Sequence, residues 1–177
     1  VSVEKAEQVV SSIVAVVGDQ AHSQSSVADG LAKQLAGRRW NTILEIGTLR
    51  GLSAAVLACF AEKVFTIDVE NTPGRSDVFG ALTRDIRNRI CSIIVPDNDA
   101  KVLLVRALSF DFAYIDAGHT EGQVAIDFSL TQKCGEMLFH DYPASGSGAN
   151  GVSLVLDALT EGKVTACKPF AWWRAKE

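Results

Sequence analysis

Val3, Ala6, Val10, Ile13, Val14 and Val17 recur three or four positions apart, the spacing that gathers side chains on one face of a helix. Gly18 offers its stop. Val27, Leu31 and Leu35 repeat the pattern and predict a second helix ending near Gly37. From Thr42 to Ile46 the period gives way to a short apolar run, which suits a strand buried on both faces. Ser53 to Glu62 then reads as a helix, Lys63 to Asp68 as a strand, Ser76 to Arg89 as a helix and Ile90 to Val95 as a strand. Asp99 to Leu108 (helix), Phe110 to Asp116 (strand), Gly122 to Lys133 (helix) and Glu136 to His140 (strand) continue the alternation. Beyond the Gly/Ser-rich stretch Pro143 to Gly151, a helix through Leu159 precedes VTAC and AWWRA, two strands divided by Lys168 and Pro169. Strands alternating with helices predict an α/β fold with a doubly wound, mostly parallel sheet of seven strands, helices on both faces, and a C-terminal antiparallel hairpin.

Composition narrows the class. The chain has 177 residues, 47% of them hydrophobic and 21% charged, which is ordinary globular material for one domain. Residues 1–38 are expected to form a helical cap, 39–142 a cofactor-binding core, and 143–177 a lid loop, a helix and the strand hairpin. The formal charge is −4 with no run of Lys or Arg, so nucleic acid is not an expected partner. Cys59, Cys91, Cys134 and Cys167 are widely scattered, without zinc-site or CxxC spacing, as in a cytoplasmic protein with reduced thiols. Val9 to Val17 is too short to span a bilayer and no membrane association is expected. The one methionine is Met137, so the native start is expected upstream or trimmed, and an N-terminal address signal stays open.

Chemistry concentrates first in ILEIGTLRGLS, Ile43 to Ser53. A buried strand runs into Glu45, Gly47 and Thr48, and Gly51 and Ser53 open the next helix, the strand-turn-helix unit that holds nucleotides in open sheets. The glycines stand four apart, not in the G-x-G-x-x-G spacing that cradles a pyrophosphate. A ligand without pyrophosphate suits the turn better. Asp68 ends the second strand, where a carboxylate can accept both hydroxyls of a ribose. Ribose without pyrophosphate suggests an adenosyl compound. Taken singly, a G-x-x-x-G is common and an acid closing a strand is often just a solvated end.

These residues carry a resemblance. EIGTLRGLS is similar to the first motif of class I S-adenosylmethionine-dependent methyltransferases, Rossmann-like enzymes, in the form used by small-molecule O-methyltransferases. FAYIDAGHTEGQVAIDF and GEMLFHDY resemble later motifs of the same group, and the likeness runs from about Trp40 to Tyr142, more loosely to Lys176. It implies that Glu45 and Gly47 line the methionine portion of S-adenosylmethionine, that Asp68 holds the ribose, and that Asp97 lies near the adenine, with Asn98 as the other candidate. Ala117 stands where relatives have glycine and Glu121 where they have tyrosine, which puts the start of the following helix and one pocket wall in question.

A second cluster lies at the ends of the fourth and fifth strands. Asp116, His140 and Asp141 offer oxygen and imidazole ligands that could hold Mg²⁺ or another divalent cation in an open site. The resembled catechol and sugar O-methyltransferases place a metal between an acid after the fourth strand and an acidic pair after the fifth; here the pair is His-Asp. His119, three residues beyond Asp116, could accept a hydroxyl proton as general base, with Asp116 beside it in the reaction. The plainer readings are that His119 begins the next helix, with Thr120 as its cap, and that His140 hydrogen-bonds a backbone carbonyl. Trp172 and Trp173, adjacent in a strand, are expected on opposite faces, one under a helix and one at a sheet edge.

The expected function is methyl transfer from S-adenosylmethionine to a hydroxyl of a small molecule, with or without a divalent metal. A nicotinamide-dependent oxidoreductase and a non-catalytic adenosyl-ligand binder are the alternatives. The first two helices and the Tyr142 to Gly151 loop are expected to cover the acceptor, and a second subunit, as in a homodimer, could complete the cap.

Overall fold

The computed structural model describes residues 3–143 and 151–176, with side chains throughout these except at 19–24. Two helices, α1 (Val3–Val17) and α2 (Asp19–Gln34), precede β1 (Trp40–Ile46), α3 (Leu52–Phe60), β2 (Ala61–Asp68), α4 (Arg75–Ala81), α5 (Arg84–Arg87) and β3 (Ile90–Ile94). There follow α6 (Asn98–Ala107), β4 (Phe112–Ile115), α7 (Glu121–Thr131), β5 (Glu136–Phe139), α8 (Gly151–Ala158), β6 (Lys163–Cys167) and β7 (Phe170–Arg174). The strands form one sheet in the order β3-β2-β1-β4-β5-β7-β6. β1 to β5 are mutually parallel, and β7 runs antiparallel to both β5 and β6. The doubly wound sheet and its C-terminal hairpin are as the residue pattern predicts.

Alternation along each strand divides the interior into two cores. Ile43, Val64, Phe112, Tyr114, Leu138 and Trp172 face one side, where α1 to α5 pack. Leu44, Ile67, Ala113, Ile115, Phe139 and Trp173 face the other, beneath α6, α7 and α8. The period of two thus places neighbouring residues on opposite sides. Both tryptophans are buried rather than one standing at an edge: Trp172 lies near Phe112 and donates to Gln34 Oε1, while Trp173 meets Phe128 edge-on.

Several boundaries differ from the expectation, three of them for a readable reason. α2 begins directly after Gly18, because residues 19–26 are polar and carried no apolar stripe to announce a helix. The single helix expected over Ser76 to Arg89 is two: Leu82 is extended, and the break lets α4 bury Val78 and α5 bury Ile86 in the same core. α3 runs into β2 without a loop, so β2 starts two residues earlier than Lys63. Among the described residues no helix is long and apolar enough to cross a membrane.

The order places a topological switch between β1 and β4, whose chains leave the sheet toward opposite faces. Ligands in open sheets bind in the crevice outside such a point. Hydrogen bonds continue past the strand ends, with Gly47 N donating to Ile67 O, Asp116 N to Ile46 O and His140 N to Ile115 O. Gly47, Asp68, Asp116 and His140 are thereby held along one rim of the sheet.

Candidate active site

A cavity of about 550 Å³ opens over this rim. Its wall includes Gly47, Thr48, Ser53, Asp68, Asn98, Asp116, His119, His140 and Asp141, so most residues singled out in the sequence surround one space. α2 adds Val27 and Ala28 to the wall, while residues 144–150 of the expected lid lie outside those described. Glu45, Gly51 and Asp97 stand behind the wall rather than in it.

The two glycines of the β1–α3 turn are required by the protein itself. Gly47 has φ +100°, and a Cβ there would collide with the Asp116 carbonyl. Gly51 has φ +91°, and a Cβ there would run into the Phe79 ring. Both conformations are ones that only glycine adopts readily. The close approach read from ILEIGTLRGLS is therefore that of the β4 tip and of α4. Gly47 still faces the cavity; Gly51 is sealed off by Phe79.

Asp68 is heavily engaged. Its Oδ2 accepts from Leu49 N at 2.7 Å and from Arg75 Nη2 at 2.7 Å, and its Oδ1 accepts from Val69 N at 2.8 Å. A carboxylate has about four acceptor positions. A ribose diol bound through both hydroxyls would therefore share or displace one of these donors. Arg75, which no motif announced, is 3% exposed and also donates from Nε to Leu49 O, so one guanidinium ties the turn after β1 to the tip of β2. Its Nη1 is buried without a partner. At the neighbouring tip, Asp97 caps α6 by accepting from Ala100 N at 2.8 Å, which leaves Asn98 as the residue that reaches the cavity.

Glu45 is fully buried between β1's neighbours. Thr66 donates to its Oε2, and Oε1 has no partner. Burial pushes its carboxyl up to about 8, against the lowering effect of the Ser53 and Thr66 hydroxyls, and Asp116 and Asp68 add repulsion. Burial thus favours the protonated form of Glu45 at neutral pH.

Acids and imidazoles interlock at the tips of β4 and β5. His140 Nδ1 lies 3.2 Å from Asp116 Oδ1 and 3.1 Å from Asp141 Oδ1, so it is held by carboxylates and not by a backbone carbonyl. His119 Nδ1 lies 3.2 Å from Asp141 Oδ2. Buried Tyr114 donates its hydroxyl to Asp116 Oδ2 at 3.0 Å. Burial would lower the His140 pKa, but hydrogen bonds and charge from Asp116 and Asp141 outweigh it and raise it to about 10. Asp141 is lowered chiefly by its bond to His140, against burial. Nε2 of His140 is buried without a partner, while Nδ1 lies between the two acids. Thr120 does cap α7, accepting from Gln123 N, and the carbonyl of His119 accepts from Gly151 N at the start of α8. The loop carrying His119 is fastened at both ends while its ring faces the cavity.

Asp116, His119 and Asp141 each have one ligand atom within 4.8 Å of the others. The set expected from sequence was Asp116, His140 and Asp141. His140 is equally close to both acids, but its Nδ1 is already shared between them, whereas His119 is more exposed to the cavity.

Residues 44–142, more than half of the chain, match the family model described as a methyltransferase domain. The chain belongs to the methyltransferase domain family. The resemblance carried by EIGTLRGLS and FHDY is thereby borne out, and the match ends at Tyr142, just past His140 and Asp141. Comparison with curated proteins finds no significant match. Among solved structures, the methyltransferase PaMTH1 of Podospora anserina, solved with S-adenosylhomocysteine bound, is similar at 20% identity and TM-score 0.65, covering 94% of this chain and 88% of that one. The O-methyltransferase TomG of Streptomyces achromogenes, in complex with S-adenosylmethionine, is 18% identical with TM-score 0.61, covering 84% and 78%. An O-methyltransferase of Bacillus cereus in complex with S-adenosylhomocysteine is 19% identical with TM-score 0.58, covering 77% and 74%. At these identities the likeness is one of fold.

Sequence reasoning missed four polar residues of this methyltransferase's cavity region: Arg75, Tyr114, Lys101 and Asp127. Tyr114 was visible in FAYID, two residues before Asp116 and so on the same strand face. The others meet their partners only through tertiary packing. Lys101 and Asp127 pair at 2.5 Å across α6 and α7, 26 residues apart in sequence.

Proposed function

We propose that this methyltransferase transfers the methyl group of S-adenosylmethionine to a hydroxyl of a small molecule, with His119 as general base. One observation carries the reading: His119 is held through Nδ1 by Asp141 while its ring lines the same cavity as Gly47, Ser53 and Asp68. The donors and products named in the neighbouring crystal structures support the choice of donor. The cavity fits an adenosyl cation on its own chemistry. Its volume is that of a small-molecule site, it is bordered by Asp68, Asp116 and Asp141, and behind it Glu45 has an unpartnered oxygen.

S-Adenosylmethionine, when bound, supplies a sulfonium-activated methyl group and leaves as a neutral thioether. Asp68, preset by Arg75, would hold the ribose, and the Gly47–Thr48 backbone, with Glu45 behind it, would border the methionine portion. The Nδ1–H of His119 donates to Asp141, which turns the lone pair of Nε2 toward the acceptor hydroxyl. That nitrogen would take the hydroxyl proton as the acceptor oxygen replaces sulfur on the methyl carbon. Such base catalysis is typically worth ~10²–10⁴ in rate, and alignment of oxygen and methyl supplies much of the rest.

A second reading has its own observation. The Asp116, His119 and Asp141 cluster has the donor set of an open site for a hard divalent cation such as Mg²⁺. In that arrangement His119 is a ligand and the base role falls to another group. Isothermal titration of S-adenosylmethionine and NAD, each with and without Mg²⁺, tests the readings. Saturable binding of the adenosyl compound and metal-independent methylation of a hydroxyl panel support the His119 base. Methylation abolished by chelation and restored by Mg²⁺ moves His119 to the metal. NAD binding in place of the adenosyl compound overturns both.

A further inference from the structure

The cavity wall contains an ion pair that neither the glycine turn nor the acid–imidazole cluster uses. Lys101 and Asp127 both line the cavity, and Nζ meets Oδ1 at 2.5 Å, with Asp127 only 1% exposed. Structural need explains the pair poorly. Buried ion pairs are often no more stabilising than apolar residues of similar volume, because desolvation offsets their attraction.

Its place in the wall suggests a task, one that rests on the donor reading above. With the ribose on Asp68 and the methyl directed toward His119, the base of an adenosyl ligand must lie along the remaining wall. That wall is built from Val95, Asn98, Lys101 and Asp127. Adenine shows an acceptor next to a donor: N7 or N1 beside the N6 amino group. An ammonium next to a carboxylate is the complementary pattern. We infer that Lys101 and Asp127 read the adenine base, Lys101 donating to a ring nitrogen and Asp127 accepting from the N6 amino group.

Hypoxanthine differs from adenine by a 6-oxo group and a proton on N1. It presents an acceptor where Asp127 needs a donor, and a buried carboxylate facing an oxygen has no water to relieve the conflict. Burial raises the Asp127 carboxyl while Lys101 lowers it, so removing Lys101 alone would favour the neutral acid. The pair therefore acts as a unit, and a test should change it as one.

The experiment is isothermal titration of S-adenosylhomocysteine and S-inosylhomocysteine into the wild-type chain, into Lys101→Met/Asp127→Leu, and into Asp127→Asn. Wild type should prefer the adenosyl compound by about 30-fold, the scale of one well-placed two-point base contact. The double variant, its fold checked by circular dichroism, should show a preference below about threefold, mainly through loss of adenosyl affinity. Asp127→Asn is nearly isosteric and places an amide donor before the 6-oxo group. It should narrow the preference by strengthening the inosyl compound, which serves if the double variant does not fold. A preference unchanged in Asp127→Asn, or no preference in wild type, would overturn the inference while leaving the donor intact. Binding of neither compound by wild type would overturn the donor reading and this inference with it.

Discussion

The carboxylates at the two ends of the cavity are treated differently by their surroundings. At the tip of β2, Asp68 is fixed by a buried arginine and two backbone N–H groups, donors that do not titrate in the working range. At the tips of β4 and β5, Asp116 and Asp141 are held by imidazoles, side chains that can both donate and accept a proton. One end is fixed by donors that keep their protons, and the other by rings that can give theirs up. The same residue type serves both because its partners decide its behaviour.

The sharpest way to break this contrast is His119→Ala. Turnover should fall ~10²–10⁴-fold while affinity for S-adenosylhomocysteine stays within about twofold, since the β2 end is untouched. Parallel loss of both in titration and single-turnover assays would make His119 a structural residue. Arg75→Met attacks the other end. Loss of charge-assisted bonds to Asp68 and Leu49 should weaken cofactor binding by about tenfold or more, with turnover at saturating cofactor changed little. A loss of kcat equal to the loss of affinity would show that the two ends are not separable.

The smallest expected effect concerns Glu45, between them. Its folded pKa of about 8 lies above the ordinary value of 4.5, so folding favours the protonated form. Its stabilising contribution is complete below pH 4.5 and is lost as pH rises through about 8. His140 acts in the same direction over a higher window, from 6.5 to about 10. The Tm of the ligand-free protein should therefore decline from pH 5 to 9, and Glu45→Gln should flatten the decline over the lower part of that range. An identical slope in the variant would mean that Glu45 is ionised in the folded protein.

Much of the sheet was legible because each central strand is a short apolar run followed by a polar tip, and those tips border the cavity. Asp68, Asp116, His119 and Asp141 could be named from sequence since a strand end at the switch point fixes where a side chain goes. Gly51 shows the opposite case. It was read as a place for a ligand, but the atom that needs the space is a ring carbon of Phe79, 28 residues later, which no local pattern reveals. Arg75 and the Lys101–Asp127 pair were illegible for the same reason. A cation beside an acid in space leaves no mark when the two lie on different elements. The extended Leu82 escaped because helical spacing persists across the break, with Val78 and Ile86 still facing one core.

The position of β7 bears on the order in which the molecule is assembled. During synthesis β1 to β5 emerge first, and all of their parallel pairings, including β4 with β5, can form from what has already left the ribosome. β7 must then dock against the open side of β5, registering Phe139 with Ala171 next to His140. Until it does, Phe170 is not in place against the His140 ring. β7 thus joins the sheet after β1 to β5, and with it comes the ring that packs against His140 at the tip of β5.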